Sequence, residues 1–282
     1  DYFMGRGYVN DGHLKTANFL VDKFIEINLE PLNNNKFTQD FNINVNTFPY
    51  PLELKLDGKY LIPGEEFMVA PHSKSSQGVF NVVKVNINNW SSVLNTSKVN
   101  KQSIITLDLT GIVNRDTISM YKELQNILNK RFPVLWISSE KLQWSVADYV
   151  SNYPLIKIAS KSLNFDFSSV EINIKQEFQK SLKTQNIVGK VSGKRNKSII
   201  ISAHYDHLGM MGQVKFPGAN DNASGVSLLL NLASYFSKKS NKYNIVFICF
   251  GAEEAGLKGS KYFTEHPLLD LKKVSFLINL DI

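Results

Sequence analysis

Three apolar runs in the last third of the chain each lead into side chains that bind cations or move protons. Ser198 to Ala203 runs into His204, Tyr205 and Asp206; Ile245 to Phe250 runs into Gly251, Ala252, Glu253 and Glu254; Val274 to Leu280 runs into Asp281. A fourth segment, Pro217 to Gly225, is bracketed by glycines and carries Asp221 where the loop gives way to an apolar helix with Val226, Leu229, Leu230 and Ala233. Short apolar runs bounded by turn residues read as buried strands, and open α/β sheets bind ligands in the crevice beyond the carboxyl ends of their strands. All these groups are therefore expected in one crevice. Taken alone, Asp221 or Asn222 reads as an ordinary helix cap; the strand-end ligands nearby turn Asp221 into a candidate ligand.

Carboxylates and an imidazole crowded together repel one another and lose hydration unless a cation neutralises them. The chain has one cysteine, Cys249, so neither a disulfide framework nor a thiolate cluster is available. Histidine nitrogen with carboxylate oxygen suits zinc, which in catalytic sites keeps a position open for water. Asp221 has two oxygens and can bridge two ions, and paired metals about 3.5–4 Å apart are a known hydrolytic arrangement. The site reads as co-catalytic zinc. Asp206 is placed to accept the second imidazole N–H of His204 and fix its tautomer. Of Glu253 and Glu254, neighbours whose side chains diverge, one faces a metal and the other is free as a general base.

The elements that position these groups follow from periodicity. From Val170 onward strands alternate with helices: strands at Val170–Ile174, Ile187–Val191, Ser198–Ala203, Ile245–Phe250 and Val274–Leu280, with helices near Ser224–Phe236 and Gly259–Glu265. That order predicts an α/β fold with a mostly parallel sheet flanked by helices. Near the start, Asp11 to Asn28 reads as an amphipathic helix with Asp11 as its cap, followed by a half-buried strand through Phe41, Ile43 and Val45. Between them, from about Tyr50 to Phe167, short alternating runs with one helix near Ile118–Leu128 predict an inserted, smaller β-rich domain. That part holds a lone His72 and no cluster at ligand spacing, so no chemistry is assigned to it. The expected organisation is residues 1–48 and 168–282 as one discontinuous domain and 49–167 as the insert.

Composition sets outer bounds. The 282 residues include 43% hydrophobic and 20% charged side chains, within the ordinary globular range. No apolar run approaches the about 18 residues that a membrane-spanning helix needs. The net charge of +7 comes from scattered lysines without a compact basic block, which argues against nucleic-acid binding. The N-terminus has neither an initiator Met nor a signal-peptide core, and reads as following a removed segment or a cut.

The motifs His204-Tyr205-Asp206-His207-Leu208-Gly209, Gly218 to Gly225, Gly251 to Leu257 and Asn279-Leu280-Asp281 together resemble the di-zinc aminopeptidase family that includes bacterial leucyl aminopeptidases. The resemblance extends to Met4-Gly5-Arg6-Gly7 with its following helix and to Asn186–Gly193, covering roughly residues 1–48 and 168–282. The middle looks like the protease-associated domain often inserted there. Carried over by position, the resemblance implies His204 and Asp281 on one zinc, Glu254 on the other, Asp221 bridging, Glu253 as base and Asp206 orienting His204. It implies a zinc exopeptidase-like fold, two zinc ions, peptide or protein N-termini as substrate, export from the cytoplasm, and a cis peptide at Asp221–Asn222.

The family draws its fifth ligand from a histidine well downstream of the Asn-Leu-Asp strand, whereas this sequence stops at Ile282; His266, in the connection after a helix, is a poor substitute. The expectation is a C-terminally truncated chain lacking one ligand. Two other readings stand beside the aminopeptidase: a glutaminyl cyclase-like acyltransferase with a single zinc, and a non-catalytic peptidase-like module that binds peptides. Asn89, Asn95 and Asn196 begin glycosylation sequons, which an Asn-rich chain also produces by chance.

Overall fold

Residues 2–96 and 99–281 are described by a computed structural model; Ser97 of the second sequon lies outside them. The chain divides into two compact units, one formed by residues 1–45, 179–210 and 215–282, the other by 46–178 and 211–214.

The first unit is built on a six-stranded sheet. Its strands are β1 (Glu30–Pro31), β2 (Thr38–Thr47), β3 (Glu177–Val191), β4 (Gly193–His204), β5 (Asn241–Phe250) and β6 (Val274–Asn279), and its helices are α1 (Gly12–Glu26), α2 (Gly225–Ser237) and α3 (Lys258–Glu265). The order is β1-β3-β5-β4-β6, with β2 also on β3. β4 runs parallel to both β5 and β6, but β3 is antiparallel to β5 and β1 antiparallel to β3. The sheet is thus mixed rather than mostly parallel: only the part that carries the strand-end motifs is parallel, because only there do helical crossovers return the chain in the same direction.

Alternation along β4 explains the layering. Ile201 and Ala203 face a core with Leu20 and Phe24 of α1, Leu229 and Ala233 of α2, and Phe247 and Cys249 of β5. Ile200 faces the other way, onto Val246, Ile248 and Phe263 of α3. A strand buried on both faces needs a continuous apolar run, and Ser198 to Ala203 supplies it. His204 continues the α3-side row, while Tyr205 turns to the other side and donates its hydroxyl to the Gln185 carbonyl at 2.9 Å. Asp11 does not cap α1: it sits at φ 57° and its side chain makes no cap bond.

The second unit carries an eight-stranded sheet. Strands 76–85, 103–108, 134–138 and 155–159 are mutually parallel, with a helix at Arg115–Asn129 whose Tyr121, Leu124 and Leu128 pack on the sheet. It is therefore more than β-rich, since it holds a β–α–β crossover. Val170–Ile174, read above as the first strand of the α/β part, instead pairs here, antiparallel to strands 53–56 and 76–85. The expected boundary at 168 thus moves to 178/179. Among the described residues no helix is long and apolar enough to cross a membrane.

Candidate metal centre

The parallel register sets the level of the site. His204 pairs with Phe250 at the end of β5, and Ser202 with Asn279 near the end of β6, so the residues just past those strands emerge together. β4 supplies His204 from its last position; the turn after β5 supplies Glu253 and Glu254; the residue two past Asn279 is Asp281. The fourth contributor is the loop before α2. Asn222 Oδ1 accepts the N–H of Gly225 at 3.1 Å and its Nδ2 donates to the Leu280 carbonyl at 2.8 Å. Asn222 is thus the residue that caps, and Asp221 is left to point outward. The peptide between them is cis, as expected from the resemblance.

Two clusters share Asp221. In the first, His204 Nε2 lies 3.2 Å from Asp221 Oδ1 and 3.4 Å from Asp281 Oδ1. In the second, His207 Nδ1 lies 2.8 Å from Glu254 Oε1 and 3.7 Å from Asp221 Oδ2. The imidazoles are buried while Asp221 and Asp281 are about half exposed, so the clusters open to solvent on their carboxylate side.

The tautomer of His204 decides what the first cluster can hold. Its Nδ1 is 3.1 Å from the backbone carbonyl of Asp206, which only accepts, so Nδ1 carries the hydrogen. Nε2 then presents a lone pair to two carboxylate oxygens. A proton on Nε2 would serve one of them, whereas a cation serves all three. In the second cluster, buried His207 Nδ1 has no hydrogen-bond partner although a Glu254 oxygen is 2.8 Å away, because the two are not aligned donor to acceptor. Groups that converge on a common point beside them, rather than on each other, have that geometry. Both donor sets are nitrogen with carboxylate oxygen, so the residues fit zinc.

Asp206 is placed differently from the sequence expectation. It reaches His204 through its main chain; its carboxylate is 4.0 Å from Nδ1. That carboxylate instead accepts the backbone N–H groups of Glu253 at 3.0 Å and Glu254 at 3.2 Å, and the Tyr8 hydroxyl at 3.3 Å. Full burial raises its pKa to about 6 against the pull of the Glu253 and Glu254 amides and of His204. Burial likewise raises the Glu253 pKa, with the neighbouring carboxylates adding to the shift. Glu253 Oε2 is 3.9 Å from His204 Nδ1, and with His204 and Asp281 it borders a cleft of about 550 Å³ whose other walls include Phe250, Leu257 and Phe263.

His207 is the group the sequence reading passed over. The signal was its position three residues past His204, where a chain that leaves its strand and turns brings a second imidazole back beside the first. His266 lies elsewhere, its ring stacked on Tyr262.

Residues 186–282 match Peptidase family M28. The M28 segment holds every residue of both clusters. The aminopeptidase YwaD of Bacillus subtilis is 28% identical over 193 residues, 64% of this chain and 41% of that protein. A probable zinc metalloprotease of Pyricularia oryzae is 33% identical over 106 residues, 36% of this chain and 21% of that protein. The chain thus spans less than half the length of these curated relatives. Among solved structures, a zinc aminopeptidase from Bacillus subtilis superposes with a TM-score of 0.66 at 19% identity, covering 99% of this chain and 67% of that one. An aminopeptidase from Aneurinibacillus sp. strain AM-1 does so with 0.62 at 20% identity, covering 99% and 68%. These likenesses show the fold, a zinc exopeptidase-like α/β arrangement on a mixed sheet.

Proposed function

We propose that the chain is the metal-binding part of an M28-type aminopeptidase that hydrolyses N-terminal peptide bonds with two zinc ions. The observation that carries this is the shared carboxylate: Asp221 presents one oxygen to His204 and the other toward His207, with Asp281 and Glu254 completing the two sets. The second set is what favours a two-ion hydrolase over a single-zinc acyltransferase. His204, Asp221 and Asp281 would hold one ion and His207, Asp221 and Glu254 the other.

Bound zinc would supply Lewis acidity toward a peptide carbonyl and make water easier to deprotonate. The chain's own residues do the rest. Glu253, on the cleft wall with its pKa raised by burial, takes the proton from the attacking water and delivers it to the departing amine nitrogen. The Asp206 carboxylate holds the amides of Glu253 and Glu254 in one turn, which keeps the base and the ligand in fixed relation. In this reading a free α-amino group is held near the ions and the acidic groups around them, which would make the cleavage exopeptidic.

Export and a protease-associated character for the second unit belong to the same proposal and rest on the resemblance alone. The test is zinc content by elemental analysis together with hydrolysis of aminoacyl-anilides. Bound zinc with hydrolysis that a chelator abolishes is expected; a folded protein that takes up no zinc overturns the reading.

A further inference from the structure

The Met4-Gly5-Arg6-Gly7 motif lies some two hundred positions from the clusters in sequence, yet Arg6 is 8% exposed and all three of its guanidinium nitrogens donate to the main chain around them. Nε donates to the Tyr205 carbonyl at 2.9 Å, Nη1 to Pro217 at 2.7 Å, and Nη2 to Gly218 at 2.7 Å and Asp221 at 2.9 Å. The Arg6 carbonyl in turn accepts the N–H of His207 at 3.4 Å. One residue therefore grips the peptide planes at Tyr205, between His204 and Asp206, and at Asp221 and His207 themselves.

We infer that Arg6 is a positioning residue for the two cation clusters: it fixes the main chain of Asp221 and His207 so that their side chains meet the ions. The inference rests on the zinc reading above and assigns to it a residue outside the M28-matching segment. Three considerations separate this from ordinary packing. The acceptors lie on two different segments, the end of β4 and the loop before α2, and only a planar fork with donors on three nitrogens spans both; a lysine offers a single nitrogen. The guanidinium is buried, which no packing role requires of a charge; burial lowers its pKa, against the fields of Asp206, Asp221 and Glu254. The chain also approaches at glycines: a Cβ on Gly7 would collide with Gly209, and one on Gly209 would meet the Gly7 Cα at 2.7 Å. Tyr8, the residue after the motif's last glycine, carries the same segment on to the Asp206 carboxylate.

The experiment measures zinc affinity by chelator competition for the parent chain, Arg6→Gln, Arg6→Lys and Arg6→Ala, the last with and without guanidinium chloride at millimolar concentration. Loss of a group that orients metal ligands is expected to weaken zinc binding about 10–100-fold in all three variants, with added guanidinium restoring a large part of it in Arg6→Ala. Cobalt in place of zinc gives a second readout, an altered visible absorption in Arg6→Lys. A folded Arg6→Gln protein that binds zinc within about threefold of the parent overturns the role, set against the larger loss expected for such residues. If Arg6→Gln does not fold, guanidinium that restores the fold of Arg6→Ala without restoring zinc affinity overturns it equally. A parent that binds no zinc sinks the metal reading and this role with it, whereas a parent that binds zinc no better than its variants sinks the Arg6 role alone.

Discussion

The Asp206 carboxylate accepts the backbone N–H of Glu253 at 3.0 Å, and that bond, rather than one to the His204 ring, is what the aspartate contributes. With Glu254 N–H and the Tyr8 hydroxyl it has three donors on two oxygens. An asparagine offers one acceptor oxygen and turns an NH₂ group toward a donor, leaving buried amides unpaired. Asp206→Asn is expected to cost roughly 1–3 kcal/mol of stability and to lower kcat about 10–100-fold. Thermal unfolding and steady-state kinetics on the same preparation check both; a variant that matches the parent in each denies the carboxylate this part.

Glu253 is expected to be separable from metal binding. Replacing it with Gln keeps shape and removes the proton acceptor, so kcat should fall about 10²–10⁴-fold while zinc content stays at the parent level. Unchanged turnover on an aminoacyl-anilide would move the base elsewhere.

His207 makes an equally specific claim on stoichiometry. His207→Ala is expected to weaken one of two zinc-binding events about 10–100-fold and leave the other near its parent value. Calorimetric titration separates them, and a curve identical to the parent's takes His207 out of the ligand set.

A pH effect on stability is expected from a histidine away from the clusters. His13 is fully buried on α1, with Nε2 3.3 Å from the Lys183 carbonyl and Nδ1 unpartnered. Burial lowers its pKa from the ordinary 6.5, against the opposing pull of the Lys183 and Gly7 carbonyls and Asp11. Below that ordinary value the unfolded chain takes up a proton that the folded chain refuses. Its contribution is therefore complete above about pH 6.5 and declines as pH falls toward the lower folded value, at no more than about 1.4 kcal/mol per pH unit. His13→Gln should flatten the melting temperature against pH over this interval; an unaltered slope would show that another group governs it.

How much of this was legible in the sequence divides along physical lines. His204, Asp221, Glu253, Glu254 and Asp281 were readable because each follows an apolar run or opens a helix after a glycine-bracketed loop, features encoded within a few residues. His207 was not, because its return beside the site depends on the turn after β4. Arg6 stood in a visible motif, but its role consists of bonds to carbonyls about two hundred positions away, which leave no local mark. Alternation found Val170–Ile174 as a strand and could not say which sheet it joins, since Val170, Ile172 and Ile174 bury the same face against any partner. Strand 155–159 went unread because Lys157 interrupts its apolar run. The antiparallel placing of β3 was hidden for a related reason: a strand buried on both faces carries no sign of direction.

The clusters take Asp221 from the loop before α2 and Asp281 from beyond β6, and Arg6 closes on them from the other end of the chain. The cluster that uses Asp281 is incomplete in a partly formed sheet, because β6 must first settle on β4 across a long excursion. Zinc bound as proposed would therefore act as a late latch: it is expected to leave the rate of refolding where it was, to slow the escape from the native state, and to protect the protein more as free ion concentration rises.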